Sequence, residues 1–406
     1  MPPFIRQVTL RSYKSIAACK VDLGSLMFLV GKNGAGKSNF LDAIGFIADA
    51  LRISLDYALR DRGTIKEVRR RSAGHPNHFA IRVDFALPDG HYGHYSFRIG
   101  AKPDEAYEVQ TEECFIHIAG LNSGGAIVPT DFFHVQSGRV VSSTRYPLPA
   151  VAADRLFLVA ASGIPEFRPV YDALSRIEIY NLNPKEIAAM QKSDPGNILR
   201  HDGSNIASVF RQFTPKVQQL VKDNLSRIVP SISGIDVQTF GQLEAMMFKQ
   251  KIKGQSNPWQ FFATAMSDGT LRAFGILVAA FQAASAKPGI NPPLLIGLEE
   301  PEMALHPAAA GTLLSVLRQG AEHCQILVTS HSPDLLDNPD IPPDALLAVT
   351  EDGGLTKIGP IDAANRKTLL DGLCTAGELL RQDQLSPASE SLSDVASERQ
   401  LKLFDV

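Results

Sequence analysis

Eight consecutive residues, Gly31-Lys32-Asn33-Gly34-Ala35-Gly36-Lys37-Ser38, satisfy every fixed position of G-x-x-x-x-G-K-[ST]. The chemistry this spacing serves is the binding of a nucleoside triphosphate. Backbone N–H groups of a glycine-rich loop converge on phosphate oxygens, and the amino terminus of the next helix adds partial positive charge. Lys37 is placed to reach the β- and γ-phosphates. The Ser38 hydroxyl is placed to bind Mg²⁺, and Asn39 follows at the start of the helix. A glycine-rich turn that merely opens a helix would not need the lysine and the serine together.

A nucleotide site of this type needs acids, and they come far downstream. Pro293-Leu294-Leu295-Ile296-Gly297-Leu298-Glu299-Glu300-Pro301 is an apolar run ending in two carboxylates. Its length suits a buried strand of a parallel sheet. Acids at the carboxyl end of such a strand lie where open α/β sheets bind ligands. Glu299 is assigned to the metal. Glu300 is assigned to the attacking water, as base or orienting group.

Two shorter segments add candidate groups. His331 follows the apolar strand Gln325 to Val328, and its imidazole can donate a hydrogen bond to a γ-phosphate. Ser267-Asp268-Gly269 precedes the apolar helix Ala273 to Ala284. Two readings of that tripeptide stay open. It is a helix cap and turn, or it presents a hydroxyl and backbone N–H groups to a phosphate.

These groups must be held by particular elements. An apolar strand, Leu26 to Val30, leads into the glycine-rich loop, and a helix from Asn39 to about Leu51 leaves it. Period-two alternation marks strands over Phe79–Phe85 and Tyr92–Ile99, and a strand pair over 125–145 around Gly138. From about 150 the pattern becomes helical, over Ala150–Ala161, Ile206–Phe213 and Pro215–Val229. A further helix is expected over Ala308–Gly320. The expected organisation is a first half with the loop and a β lobe (3–145), a helical insertion (146–231), a second half (232–380) and a polar tail (381–406). No heptad run is sustained, so no long coiled-coil arm is expected.

The order of these motifs resembles the ABC-type ATPase heads of the SMC, RecF and OLD groups. The greatest resemblance is to bacterial stand-alone AAA-family, OLD-like ATPases. Leu10-Arg11-Ser12-Tyr13-Lys14-Ser15-Ile16 resembles the first strand and turn of such heads. Glu299-Glu300-Pro301-Glu302 and Leu305-His306-Pro307 resemble their Walker B motif and D-loop. Tyr180-Asn181-Leu182-Asn183-Pro184 and Asp202-Gly203-Ser204-Asn205 resemble motifs of the stand-alone subgroup. The resemblance implies an α/β, ABC-type P-loop NTPase head with a mixed sheet, an antiparallel β lobe and a helical insertion. It implies ATP and Mg²⁺ as ligands, and an ATPase. It makes Ser267, Asp268 and Gly269 a signature motif facing the γ-phosphate of a second copy, so that an ATP-dependent homodimer forms. It makes His331 the switch histidine. Gln136 is a candidate for the Q-loop glutamine, in surroundings that read as an ordinary strand pair. A DNA-related or anti-phage role is implied, alongside a separate effector such as a nuclease. The segment after His331 is too short for the TOPRIM nuclease domain of OLD proteins.

Two other classes stay open, the nucleotide-binding subunit of a transporter and a non-hydrolysing scaffold. Glu299-Glu300 in place of Asp-Glu, and Met266-Ser267-Asp268-Gly269 in place of Leu-Ser-Gly-Gly, depart from the transporter pattern. Glu300 weighs against a pure binder.

Composition narrows the setting. The 406 residues are 44% hydrophobic, enough for one large or two moderate cores. The formal net charge of −3 provides no global basic field for nucleic acid. The basic run Arg69-Arg70-Arg71, with Arg60, Arg62 and Lys66, is either a DNA-backbone contact or a solvated, salt-bridged loop. His75, His78, His91 and His94 have neither the cysteines nor the clustered carboxylates of a metal site, and read as surface loop histidines. Cys19, Cys114, Cys324 and Cys374 form no C-x-x-C pair, which fits reduced, buried thiols. There is no secretory pattern at Met1-Pro2-Pro3-Phe4 and no uncharged apolar run of about 18 residues. The expected location is cytoplasmic, with no membrane partner.

Overall fold

A computed structural model describes residues 2–71, 76–118, 130–285, 287, 289 and 291–388. Its centre is a set of short, almost wholly apolar strands. β1 spans Ile5–Tyr13, β2 Ile16–Asp22 and β3 Leu26–Val30. The β lobe continues with β4 His78–Ala86, β5 His91–Ala101, β6 Tyr107–Ile118, β7 Asp131–Gln136 and β8 Arg139–Ser143. Then come β9 Ile177–Tyr180, β10 Gln191–Lys192, β11 Ile232–Phe240, β12 Leu243–Gln250 and β13 Trp259–Phe262. The last four are β14 Leu295–Glu299, β15 Gln325–Ser330, β16 Leu346–Asp352 and β17 Leu355–Pro360.

Five of these run parallel, in the order β9-β14-β15-β3-β16. Every residue of β15 is buried, which is why these strands read as continuous apolar runs rather than alternating ones. Register places Glu299 opposite Thr329 and Ser330 opposite Val30. The chain segments after β3, β14 and β15 therefore emerge together at one edge of the sheet. Through β17, the parallel strands join the antiparallel lobe β8-β7-β6-β5-β4-β1-β2 in one 13-stranded sheet. A separate four-stranded sheet holds β10 to β13.

Helices cover both faces. The P-loop helix, Lys37–Arg52, packs Phe40, Ile44, Phe46 and Ile47 into a first core with residues of the β lobe. There Phe46 meets Phe79 edge-on at 5.4 Å. The helix Asp268–Phe281 buries Phe274, Leu277 and Val278 in a second core, with Leu313 and Leu317 of the helix Ala310–Ala321.

Several sequence expectations meet local physics that patterning does not capture. The strand pair around Gly138 is the β7–β8 hairpin, turned by Ser137 and Gly138, both left-handed (φ 45° and 73°). The earlier part of that expected pair lies outside the described residues. The helix expected over Ala150–Ala161 begins only at Phe157. No local residue caps it. Instead the buried Glu112 carboxylate of β6 accepts the N–H groups of Phe157 and Leu158.

The stretch 146–231 is not a separate insertion throughout. Leu156, Phe167, Val170 and Leu174 belong to the first core, and β9 is the edge strand beside β14. The apolar positions Ile177 and Ile179 suit that edge. From Leu182 onward the chain packs in the second core. Its Asn-Pro and Asp-Gly-Ser-Asn motifs are tied together by hydrogen bonds. Asn183 caps the turn of helix after it, the N–H groups of Asn181 and Asn183 donate to the carbonyls of His201 and Asp202, and Asn205 accepts from the Arg200 N–H.

Candidate functional site

β3 delivers the chain to the loop Gly31–Gly36. Gly36 has φ 101°, and a Cβ there would sit 2.1 Å from the Thr356 hydroxyl of β17. Only glycine fits that close approach. The Thr356 hydroxyl donates to the Ala35 carbonyl at 2.9 Å and lies 2.7 Å from the Ser15 hydroxyl. Ser15 also accepts from Asn39 Nδ2 at 2.6 Å. Loop and helix start are thus tied to the β1–β2 turn and to β17. Lys14 of that turn pairs with Asp42 at 2.6 Å, one helical turn beyond Ser38.

Lys37 is the first residue of the helix and only 5% exposed. Its Nζ donates to the carbonyls of Gly31 at 2.8 Å and Lys32 at 2.9 Å. Burial lowers its pKa, while the nearby Glu300 and Glu302 act to raise it. The lysine is therefore folded onto its own loop, with its charge facing the acids across the site.

Glu299 ends β14, and the Ser38 hydroxyl donates to its Oε2 at 3.0 Å. Burial raises the Glu299 pKa, and the Ser38 bond works in the opposite direction. A hydroxyl and a carboxylate side by side are an oxygen pair of the kind Mg²⁺ takes together with phosphate and water. Among the described residues no cluster of three or more His, Cys, Asp and Glu side chains forms a metal cage. Mg²⁺ held largely by phosphate and water does not need one.

Glu300 follows in a left-handed conformation, φ 43°. Its N–H donates to the Thr329 carbonyl at 3.0 Å. Its Oε1 lies 3.0 Å from His331 Nδ1, but off the line a hydrogen bond needs, and that nitrogen has no aligned partner. Three separated parts of the sequence meet here: the loop to Asn39, the acids Glu299, Glu300 and Glu302, and His331. A role for Glu302 was not legible in the sequence beyond a third acid two positions after Glu300.

Among the described residues no hydrogen bond or ion pair joins Ser267 or Asp268 to this group. The Ser267 hydroxyl accepts the Thr270 N–H at 3.3 Å as the cap of its helix, and Ser267 and Asp268 are exposed. Such a cap is worth about 1 kcal/mol. Gly269 packs directly on the acidic turn, since a Cβ on it would lie 2.2 Å from the Ala304 carbonyl oxygen. A cavity of about 460 Å³ is lined by Gly31–Ala35 and by Leu380 and Asp383, and one of about 550 Å³ lies between the P-loop helix, Asn181 and Glu299.

Other expectations are redistributed. Gln136 is exposed at the end of β7, eight strands from β3 in the sheet order. The polar residue level with Glu299 on the neighbouring strand is Asn181, because Tyr180 pairs with Leu298. The basic cluster is largely neutralised: Arg62 pairs with Asp42 and Asp49, Arg60 with Asp56, Lys66 with Glu105 and Arg71 with Glu67. His78, His91 and His94 are strand residues, not loop residues. His94 is buried and lies 3.1 Å from Glu113. His75 lies outside the described residues. Cys19, Cys114 and Cys324 are free and buried, and burial pushes Cys19 and Cys324 up to about 12.

A family model described as "AAA domain, putative AbiEii toxin, Type IV TA system" matches residues 26–112 and 178–337. The match covers more than half of the chain, from β3 through the acids to the segment after His331. The chain belongs to this family. Within the AAA-domain fold, its architecture is that of an SMC-type P-loop NTPase head. An SMC head bound to the C-winged helix domain of ScpA superposes with a TM-score of 0.53 at 14% identity, over 88% of this chain and 97% of that one. The Pyrococcus furiosus Smc head with an extended coiled coil, bound to the C-terminal domain of ScpA, gives 0.55 at 11% identity, over 92% and 100%. At these identities the likeness is one of fold. No curated protein matches the chain. No helix among the described residues is long and apolar enough to cross a membrane.

Proposed function

We propose that this AAA-domain protein is an ATPase that works as a pair of heads. ATP binds along Gly31–Asn39, with Lys37 leaving the Gly31 and Lys32 carbonyls for the β- and γ-phosphates. Ser38 and Glu299 hold Mg²⁺, which when bound offsets the charge of the phosphates. Glu300 takes a proton from the water that attacks the γ-phosphorus, and the bond to the β-phosphate oxygen breaks. His331, beside Glu300, donates to the γ-phosphate. The observation that carries the reading is the meeting of Ser38 with Glu299 and of Glu300 with His331 at one sheet edge.

The exposed Ser267 and Asp268 supply the remaining donors to the partner's nucleotide. They complete the phosphate site from the second head, so ATP draws two heads together and hydrolysis releases them. Such a cycle suits control of a separately encoded effector, such as a nuclease, in a DNA-related or anti-phage process in the cytoplasm. The two similar SMC heads are themselves bound to a second protein. The paired arginines around Arg62 are not the surface that DNA would use.

Phosphate release by the purified protein, with Mg²⁺ and after its chelation, tests the reading. Turnover that needs Mg²⁺ is expected. Tight ATP binding with no turnover under any condition leaves a nucleotide-dependent scaffold instead.

A further inference from the structure

The acidic turn carries a third carboxylate, Glu302, and its backbone sends that side chain back to the strand that ends at Ser330. Glu300 is left-handed and its N–H is held by Thr329. The turn then closes with the Met303 N–H on the Glu300 carbonyl at 3.1 Å. Glu302 Oε1 accepts the hydroxyl of the fully buried Ser330 at 2.6 Å. The same Ser330 oxygen accepts the Ser332 N–H at 3.1 Å. One hydroxyl thus ties the acidic turn to the residues on both sides of His331. The second oxygen of Glu302, Oε2, is buried and has no hydrogen-bond partner.

We propose that Glu302 is a positioning residue for hydrolysis, which through Ser330 fixes the His331 backbone so that His331 and Glu300 close on the reacting phosphate together. The proposal rests on the reading of the site as an ATPase. Its physical basis is that the Glu300–His331 contact is near but not aligned, so that pair does not set its own direction. A rigid reference has to come from the neighbouring residue, and Ser330 is the neighbour with a bond. A buried, half-satisfied carboxylate is also a costly way to join a turn to a strand. An apolar pair would do that at no such cost.

Three variants test it. Glu302→Gln keeps an oxygen acceptor for Ser330. Glu302→Leu removes it at similar size, and Ser330→Ala removes the donor. ATP affinity by calorimetry, melting temperature, and kcat and KM by phosphate release are measured for each and for the Glu302→Leu/Ser330→Ala double variant. Expected are unchanged affinity and KM, a kcat lowered about 10- to 100-fold by Leu and by Ala, rescue of most of it by Gln, and a double variant no slower than the worse single one. Wild-type kcat in Glu302→Leu, a Gln variant as slow as Leu, or multiplicative losses in the double variant would overturn the proposal. If Glu302→Leu does not fold, Ser330→Ala decides, and wild-type kcat there overturns it. Absence of turnover in the wild-type protein would instead remove the ATPase reading and this role together.

Discussion

Glu300 Oε1 and His331 Nδ1 lie 3.0 Å apart although 30 positions separate Glu300 from Ser330, the last residue of β15, before His331. The contact follows from the parallel pairing of β14 with β15, in which Glu299 faces Thr329. Strands that pair in this register must release their next residues side by side. Glu300→Gln should therefore keep ATP and Mg²⁺ binding while lowering turnover by about 100-fold or more, because it removes the proton acceptor. Glu299→Gln should instead raise the Mg²⁺ concentration needed for half-maximal rate. Turnover at the wild-type rate in Glu300→Gln would mean that the two acids are assigned the wrong way round.

Lys37→Ala should abolish high-affinity ATP binding in a folded protein. The lysine donates to two loop carbonyls, so its loss removes the phosphate contact without breaking the core. Titration calorimetry with ATP reads the affinity, and circular dichroism checks the fold.

Gly269→Ala should disturb the acidic turn from the helix that packs on it. The new methyl would meet the Ala304 carbonyl oxygen at 2.2 Å, where overpacking costs about 1–3 kcal/mol. Ala304 is already left-handed, φ 61°, and has little room to adjust. A lower melting temperature and slower turnover, with ATP affinity unchanged, are expected. An unaltered rate would show that the helix and the turn are not mechanically linked.

Glu112 should make stability depend on pH. Burial pushes its pKa up to about 7, against hydrogen bonds from Phe157, Leu158 and Tyr95. The folded pKa is raised above the unfolded value, so the folded state holds more protons between the two. The favourable contribution is full below about 4.5, the unfolded value, and is lost as pH rises to about 7 and beyond. It amounts to roughly 3 kcal/mol at most. Denaturant midpoints of the wild-type protein and of Glu112→Gln, compared across that range, should differ in slope. Parallel curves would contradict it.

What was legible in the sequence was the part written in local order. The loop, its strand and its helix are contiguous, and Glu299 ends an apolar run whose composition marks a buried strand. His91 and His94 are legible as strand residues, since Pro88-Asp89-Gly90 is a turn signal and His94 lies inside the alternation over Tyr92–Ile99; reading them as loop histidines set residue type above pattern. The late start of the helix at Phe157 could not be read locally, since the group that caps it, Glu112, is 45 positions away. β9 was masked by the helical patterns around it, as its four residues are too few to show a period. The role of Glu302 depends on the direction of one turn, which a third acid in a row does not specify.

The central claim is that the site is completed by a second copy, with Ser267 of one head reaching the nucleotide held by Lys37 and Ser38 of the other. Light scattering of Glu300→Gln, and of Glu300→Gln with Ser267→Arg, with and without ATP and Mg²⁺, tests it most directly. The account predicts that ATP doubles the mass of Glu300→Gln, and that Ser267→Arg prevents this while leaving ATP affinity intact. A strictly monomeric Ser267→Arg protein, made in the wild-type background and hydrolysing ATP at the full rate, would contradict it.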